Sequence, residues 1–130
     1  MRRELEFVEL LSHLKRRRVR NVVWLTADVH YCAAHFYNPA KAAFRGFDGF
    51  WEFVAGPLNA GTFGPNVLDG TFGPQAVFVK APPPGQSNLS PYSGYQFFGE
   101  VNIDAQSRDL TVDLRDINGV SVFGKTLQAR

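Results

Sequence analysis

The sequence predicts an α/β fold, with one helix and one buried central strand first, long loops between, and an antiparallel meander last. Phe7, Leu10, Leu11 and Leu14 recur at i, i+3, i+4 and i+7, the spacing of one apolar helix face. Val22, Val23, Trp24 and Leu25 then run without alternation, as in a strand covered on both faces. The last third alternates apolar and polar residues with period two, as in antiparallel strands with one buried face.

The chain has 130 residues, the length of one domain. Apolar residues make up 45% and charged residues 20%, a globular rather than a disordered composition. No apolar run approaches the roughly 18 residues of a membrane span. Met1, Arg2 and Arg3 lead into acidic residues and an amphipathic pattern, not into the apolar core of an export signal. A single Cys excludes an internal disulfide framework and a thiolate-only zinc site.

In chain order, residues 3–17 read as the helix. Glu4, Glu6 and Glu9 come early and Lys15, Arg16, Arg17 and Arg18 late, which suits the helix dipole. Residues 1–20 hold seven basic and three acidic residues, a balance of +4, and residues 21–130 seven basic and nine acidic, a balance of −2. The local basic excess reads as a solvated helix end, not as a nucleic-acid surface. The helix followed closely by the strand at 22–26 is half of an α/β unit. Residues 56–74 carry five Gly and three Pro and read as a long loop. Thr62-Phe63-Gly64-Pro65 recurs in it as Thr71-Phe72-Gly73-Pro74, suggesting two similar turns with Phe as the anchor of each. Trp51 to Ala55 reads as a strand and Ala76 to Val79 as a shorter one. Pro82-Pro83-Pro84-Gly85 marks a second loop. Phe97, Gly99, Val101 and Ile103 alternate with polar or outward positions, as do Leu110, Val112 and Leu114. Asn118-Gly119 between them and the last strand signals a type I′ hairpin turn.

The chemistry sits after the first strand. In open α/β sheets ligands bind beyond the carboxyl ends of strands, and Ala27-Asp28-Val29-His30 occupies that place. A carboxylate and an imidazole two residues apart suit iron, zinc or manganese. Two donors do not make a metal site, so on spacing alone a structural Asp–His hydrogen-bonding pair is the favoured reading and metal binding the alternative. His13 reads as solvent-facing and His35 as a packed or surface residue near a pocket. Cys32 reads as a small buried residue. Walker, G-x-S-x-G and H-E-x-x-H patterns are absent from the sequence.

The phrase Asn21-Val22-Val23-Trp24-Leu25-Thr26-Ala27-Asp28-Val29-His30-Tyr31 resembles the strand and G-D-V-H motif of the PhoD-like alkaline phosphatases, of the calcineurin-like metallophosphoesterase superfamily. Ala33-Ala34-His35-Phe36-Tyr37-Asn38-Pro39, the stretch from Phe50 to Phe63 and Phe97-Phe98-Gly99-Glu100-Val101 continue the likeness over nearly all of the chain. Ala27 stands where the family usually has Gly.

The resemblance implies a metallophosphoesterase-like α/β sandwich, of which residues 1–130 would be a C-terminal, incomplete segment. It implies metal-dependent hydrolysis of phosphate mono- or diesters, with Asp28 and His30 as metal ligands in a two-metal site. It implies iron paired with calcium or another divalent ion. The expected partners are a phosphate-ester substrate and the N-terminal half of the catalytic domain, with no nucleic acid and no membrane span. The family is commonly exported, although the chain shows no signal peptide. The alternative is a non-catalytic β-rich interaction module derived from the same fold.

Overall fold

The structure, a computed structural model, describes residues 2–130. Met1, where the segment read as lacking an export signal begins, lies outside the described residues. Helix α1 spans Arg2–Arg16. Its buried face is Leu11, with Phe7 and Leu14 half-buried beside it, while Leu10 stays exposed. His13, Lys15 and Arg16 fill the last turn, where cations oppose the negative end of the dipole. Lys15 reaches Asp48 at 3.6 Å, and the arginines that follow are exposed.

Strands β1 (Val23–Thr26), β2 (Cys32–Tyr37), β3 (Phe50–Val54) and β4 (Pro74–Lys80) form one sheet in the order β1-β3-β2-β4. The β1–β3 pair is parallel and the others are antiparallel. Strands β5 (Phe97–Ile103), β6 (Leu110–Asp116) and β7 (Ser121–Leu127) form the expected antiparallel meander. The meander packs on one face of the first sheet, through Cys32, Ala34 and Phe53 against Phe97, Val112 and Leu114. Helix α1 and the loops cover the other face, where Leu11, Ala42, Phe47 and Phe50 form a second cluster with Phe7, Trp24 and Phe72. The layers are thus helix, sheet and sheet. β2 escapes the sequence pattern because Cys32, Ala33 and Ala34 show no period. Their small side chains suit the middle of the stack, where all three are fully buried.

Three sequence expectations change. The strand at 22–26 was expected to be central and covered on both faces, but β1 is an edge strand, and Leu25 is 59% exposed. Its apolar run encodes a strand with two dry faces, and among the described residues only one side of it has a paired neighbour. The turn after β6 is not type I′, which needs φ > 0 at both central residues. Only Gly119 has it (φ 78°). Asp116 Oδ1 instead accepts from the amides of Asn118 and Val120, and a register shift after Leu114 takes up the extra residue. With an N-terminal half of the domain missing, Phe50, Trp51, Phe53, Phe63 and Phe72 are expected near the apolar surface it leaves uncovered, but Phe50 and Phe53 are core residues, Trp51 and Phe72 are half-buried, and Phe63 is the exposed member of the five.

An edge strand with free amides and carbonyls invites pairing. The 130-residue chain is therefore expected to self-associate in solution. Size-exclusion chromatography with light scattering checks this, and a sharp monomer peak at all concentrations would refute it.

Candidate functional site

Residues 27–31 leave the carboxyl end of β1, and residues 55–62 leave that of its parallel neighbour β3. The two loops run side by side. Ala55 N donates to Thr26 O at 3.1 Å, and a Cβ on Gly56 would stand 3.1 Å from Val29 O. This is where α/β sheets bind ligands, and it is where Asp28 and His30 lie.

Asp28 is exposed and takes a left-handed backbone (φ 73°), which Asp tolerates better than most residues. Among the described residues no hydrogen-bond donor or cation reaches its carboxylate. The left-handed backbone thus falls at position 28 and not at 27, where the resemblance places Gly in the family. Ala27 keeps a negative φ, so its methyl group costs no strain.

His30 is half-buried and held on two sides. Its ring stacks on Phe63 with centroids 4.4 Å apart and planes 25° off parallel, and its Nδ1 bonds Gly61 O. A carbonyl only accepts, so Nδ1 carries the proton and Nε2 presents its lone pair. A ligating imidazole is commonly held in this way. The loop that supplies Gly61 is itself fixed. Gln96, 1% exposed, clamps Ala60 by donating to its carbonyl at 2.9 Å and accepting from its amide at 3.4 Å. Thr62 accepts from the Leu89 amide at 2.9 Å through its hydroxyl. Gln96 and Thr62 escaped the sequence reading because each is a lone polar residue whose partners are 36 and 27 positions away.

Asp28 and His30 are chemically apt donors for a first-row or divalent metal. They do not complete a site, because among the described residues no group of three or more His, Cys, Asp or Glu is placed to hold an ion. Cys32 is fully buried in the cluster between the two sheets. Burial, partly offset by the charge on Lys80, pushes its thiol up to about 12, away from the reactive thiolate.

Beneath this edge, on the α1 side of the first sheet, lies a polar cluster. Glu52 accepts from Thr26 Oγ1 at 2.9 Å and from His35 Nδ1 and the Tyr37 hydroxyl, each at 3.0 Å. His35 is 4% exposed, so the packed reading holds, but it packs in a hydrogen-bonded network. A sequence signal existed. Glu52 shares its strand face with Phe50 and Val54, so a period-two pattern points a charge inward. Burial pushes the Glu52 carboxyl up, but the hydrogen bonds from His35, Thr26 and Tyr37 outweigh it and hold the group below its ordinary value. Burial and the neighbouring Glu52 charge push the Tyr37 hydroxyl up.

A carboxyl depressed on folding adds stability above its unfolded value, and that stability is lost as pH falls through the folded value. Thermal midpoints of the wild-type chain are thus expected to drop as pH is lowered below about 4.5. Glu52→Gln should begin less stable and lose less over that window. Parallel curves for the two proteins would refute the assignment.

The profile of the PhoD-like phosphatase family matches residues 1–114. The chain belongs to that family, whose members are in general metal-dependent phosphatases. Comparison with curated proteins and with solved structures finds no match.

Proposed function

We propose that this chain is the C-terminal part of the catalytic domain of a metal-dependent phosphatase or phosphodiesterase of the calcineurin-like superfamily, and that Asp28 and His30 contribute ligands to its two-metal site. The single observation that carries this reading is His30. Its Nδ1 is tied to Gly61 O, leaving Nε2 free at the carboxyl edge of the parallel strand pair. The unpaired carboxylate of Asp28 stands two residues away on the same loop. The family match supports the reaction class.

The free edge of β1 supports the incomplete domain. Parallel strands are normally buried within a sheet, and α1 feeding into β1 is the second half of a β-α-β unit. A preceding parallel strand would pair on that edge. The remaining metal ligands would come from the same upstream half.

Asp28 and His30 would help hold metal ions there, and such ions would supply Lewis acidity toward a phosphoryl group and an activated nucleophile. In this segment, Asp28 offers charge to balance a cation. Phe63 and Gly61 fix the His30 ring, and Gln96 fixes Gly61. The substrate is a phosphate mono- or diester, and iron with calcium or another divalent ion is the pair the family implies.

Titration of the chain with Mn²⁺ tests the ligand assignment. Paramagnetic broadening of amide resonances is expected first in residues 27–31 and around Gly61. It should weaken in Asp28→Asn and weaken further in His30→Ala. Broadening centred elsewhere, or unchanged in both variants, would overturn it.

A further inference from the structure

The two sheets part at the end of the sandwich opposite Asp28 and His30. A cavity of about 860 Å³ opens there, beside the first residues of β1 and β3. Val23, Phe36 and Trp51 of the first sheet make one wall, and Ile103, Leu110 and Leu127 of the meander make the other. These side chains belong to the faces that the sheets turn toward each other. Val23, Trp51, Leu110 and Leu127 pack against the cluster between the sheets. Phe36 shares its face with Cys32 and Ala34 and lies against Trp51 with ring centres 5.3 Å apart, and Ile103 shares its face with Phe97. Five of the six are half-buried and Ile103 is 66% exposed. Interior apolar surface of both sheets is thus open to solvent, in a space of the size that small-molecule sites have.

The mouth of this space is cationic. Arg108, in the turn between β5 and β6, and Arg130 line it, and no Asp or Glu does. Asn21 fixes one side of the mouth, donating to the Arg130 carbonyl at 3.2 Å and accepting from its amide at 3.0 Å. Lys125 lies between Phe123 and Leu127 on the inward face of β7, and its ammonium stands 5.3 Å from the centre of the Trp51 ring. Among the described residues no carboxylate pairs with Arg108 or Lys125.

These features select a ligand class. An organic cation would meet like charge at the mouth and at the Trp51 wall. A small inorganic anion would leave the apolar walls uncovered. A metal ion would find no His, Cys, Asp or Glu along the lining. We infer that this cavity binds a single-chain amphiphile with an anionic head, its alkyl chain lying between the two sheets and its head held at the mouth by Arg108. A carboxylate and a phosphoryl head share this chemistry, since a guanidinium matches both. Lys125 adds positive potential along the Trp51 wall. The inference does not depend on the metal assignment or on phosphatase activity.

Equilibrium dialysis of the full 130-residue chain in metal-free buffer, against radiolabelled decanoate and separately against decylphosphonate, tests it. One saturable equivalent is expected for at least one of the two, and the tighter binder names the head. Decyltrimethylammonium should not compete, and affinity should fall roughly fourfold for each methylene removed from the chain. Ile103→Asp, at an exposed position that tolerates the change, sets a like charge in the path of the chain and should weaken binding by about tenfold or more. Arg108→Gln, also exposed, should weaken it about three- to fivefold, the scale of an exposed ion pair. Absence of saturable binding of both probes, equal affinity in either variant, or equal competition by decyltrimethylammonium would overturn the inference. Binding that declines as protein concentration rises would place a second copy of the chain in the cavity and would also overturn it.

Discussion

The 130-residue chain alone is expected to hydrolyse p-nitrophenyl phosphate and its diester no faster than buffer, whichever divalent or trivalent metal is added. Ordinary enzymes turn over at about 1–10³ per second, so the expected deficit spans several orders of magnitude. The physical ground is the donor count. Asp28 and His30, the proposed ligands, are not joined by a third His, Cys, Asp or Glu placed to hold an ion among the described residues. Two donors hold an ion weakly and leave its position undefined, whereas phosphoryl transfer depends on positioning. On the proposed reading of the chain as the C-terminal part of a catalytic domain, co-expression with an upstream half of that domain should restore metal-dependent turnover. That turnover should fall in His30→Ala, which would remove a proposed ligand, and in Asp28→Asn, which removes a charge. Metal-dependent hydrolysis by the chain alone that vanishes in His30→Ala would show that the site is already complete.

The second large effect is on stability. Phe53→Ala is expected to cost about 3–5 kcal/mol, the usual range for a fully buried Phe. Phe53 is 1% exposed and stands where the two sheets meet, stacked on Trp51 with centroids 5.7 Å apart and packed in the cluster of Phe97, Val112 and Leu114. Its loss leaves a cavity between sheets whose backbones cannot close up without breaking their own ladders. Phe53→Leu should cost clearly less, because it keeps most of the volume. Chemical denaturation of the three proteins checks this. A loss below about 1 kcal/mol in Phe53→Ala would place the main core elsewhere.

Local pattern determined a good deal by itself. The spacing of Phe7, Leu11 and Leu14 fixed α1, and alternation fixed β5 to β7, because side-chain period depends on the backbone of one element alone. The family was legible for a related reason, since its motifs are local, residues 21–31 around Asp28 and His30 and the stretch from Phe50 to Phe63 each being continuous in sequence. Hydrophobic run alone misplaced β1, since a strand's neighbours are set by pairing over long sequence distance, and Val23–Thr26 takes its register from residues 51–54. The same limit hid β2, whose small residues carry no period, and the turn at Gly119, where the Asp116 side chain decided the type.

The supports of the site belonged wholly to the tertiary structure. Gln96 reaches Ala60, Gly61 meets His30, and Glu52 gathers donors from β1 and β2. Each of these contacts joins residues 15 or more positions apart. A side chain's chemical type is written in the sequence. Its tautomer, its charge state and the lone pairs it leaves open depend on which distant partners the fold brings within about 3 Å.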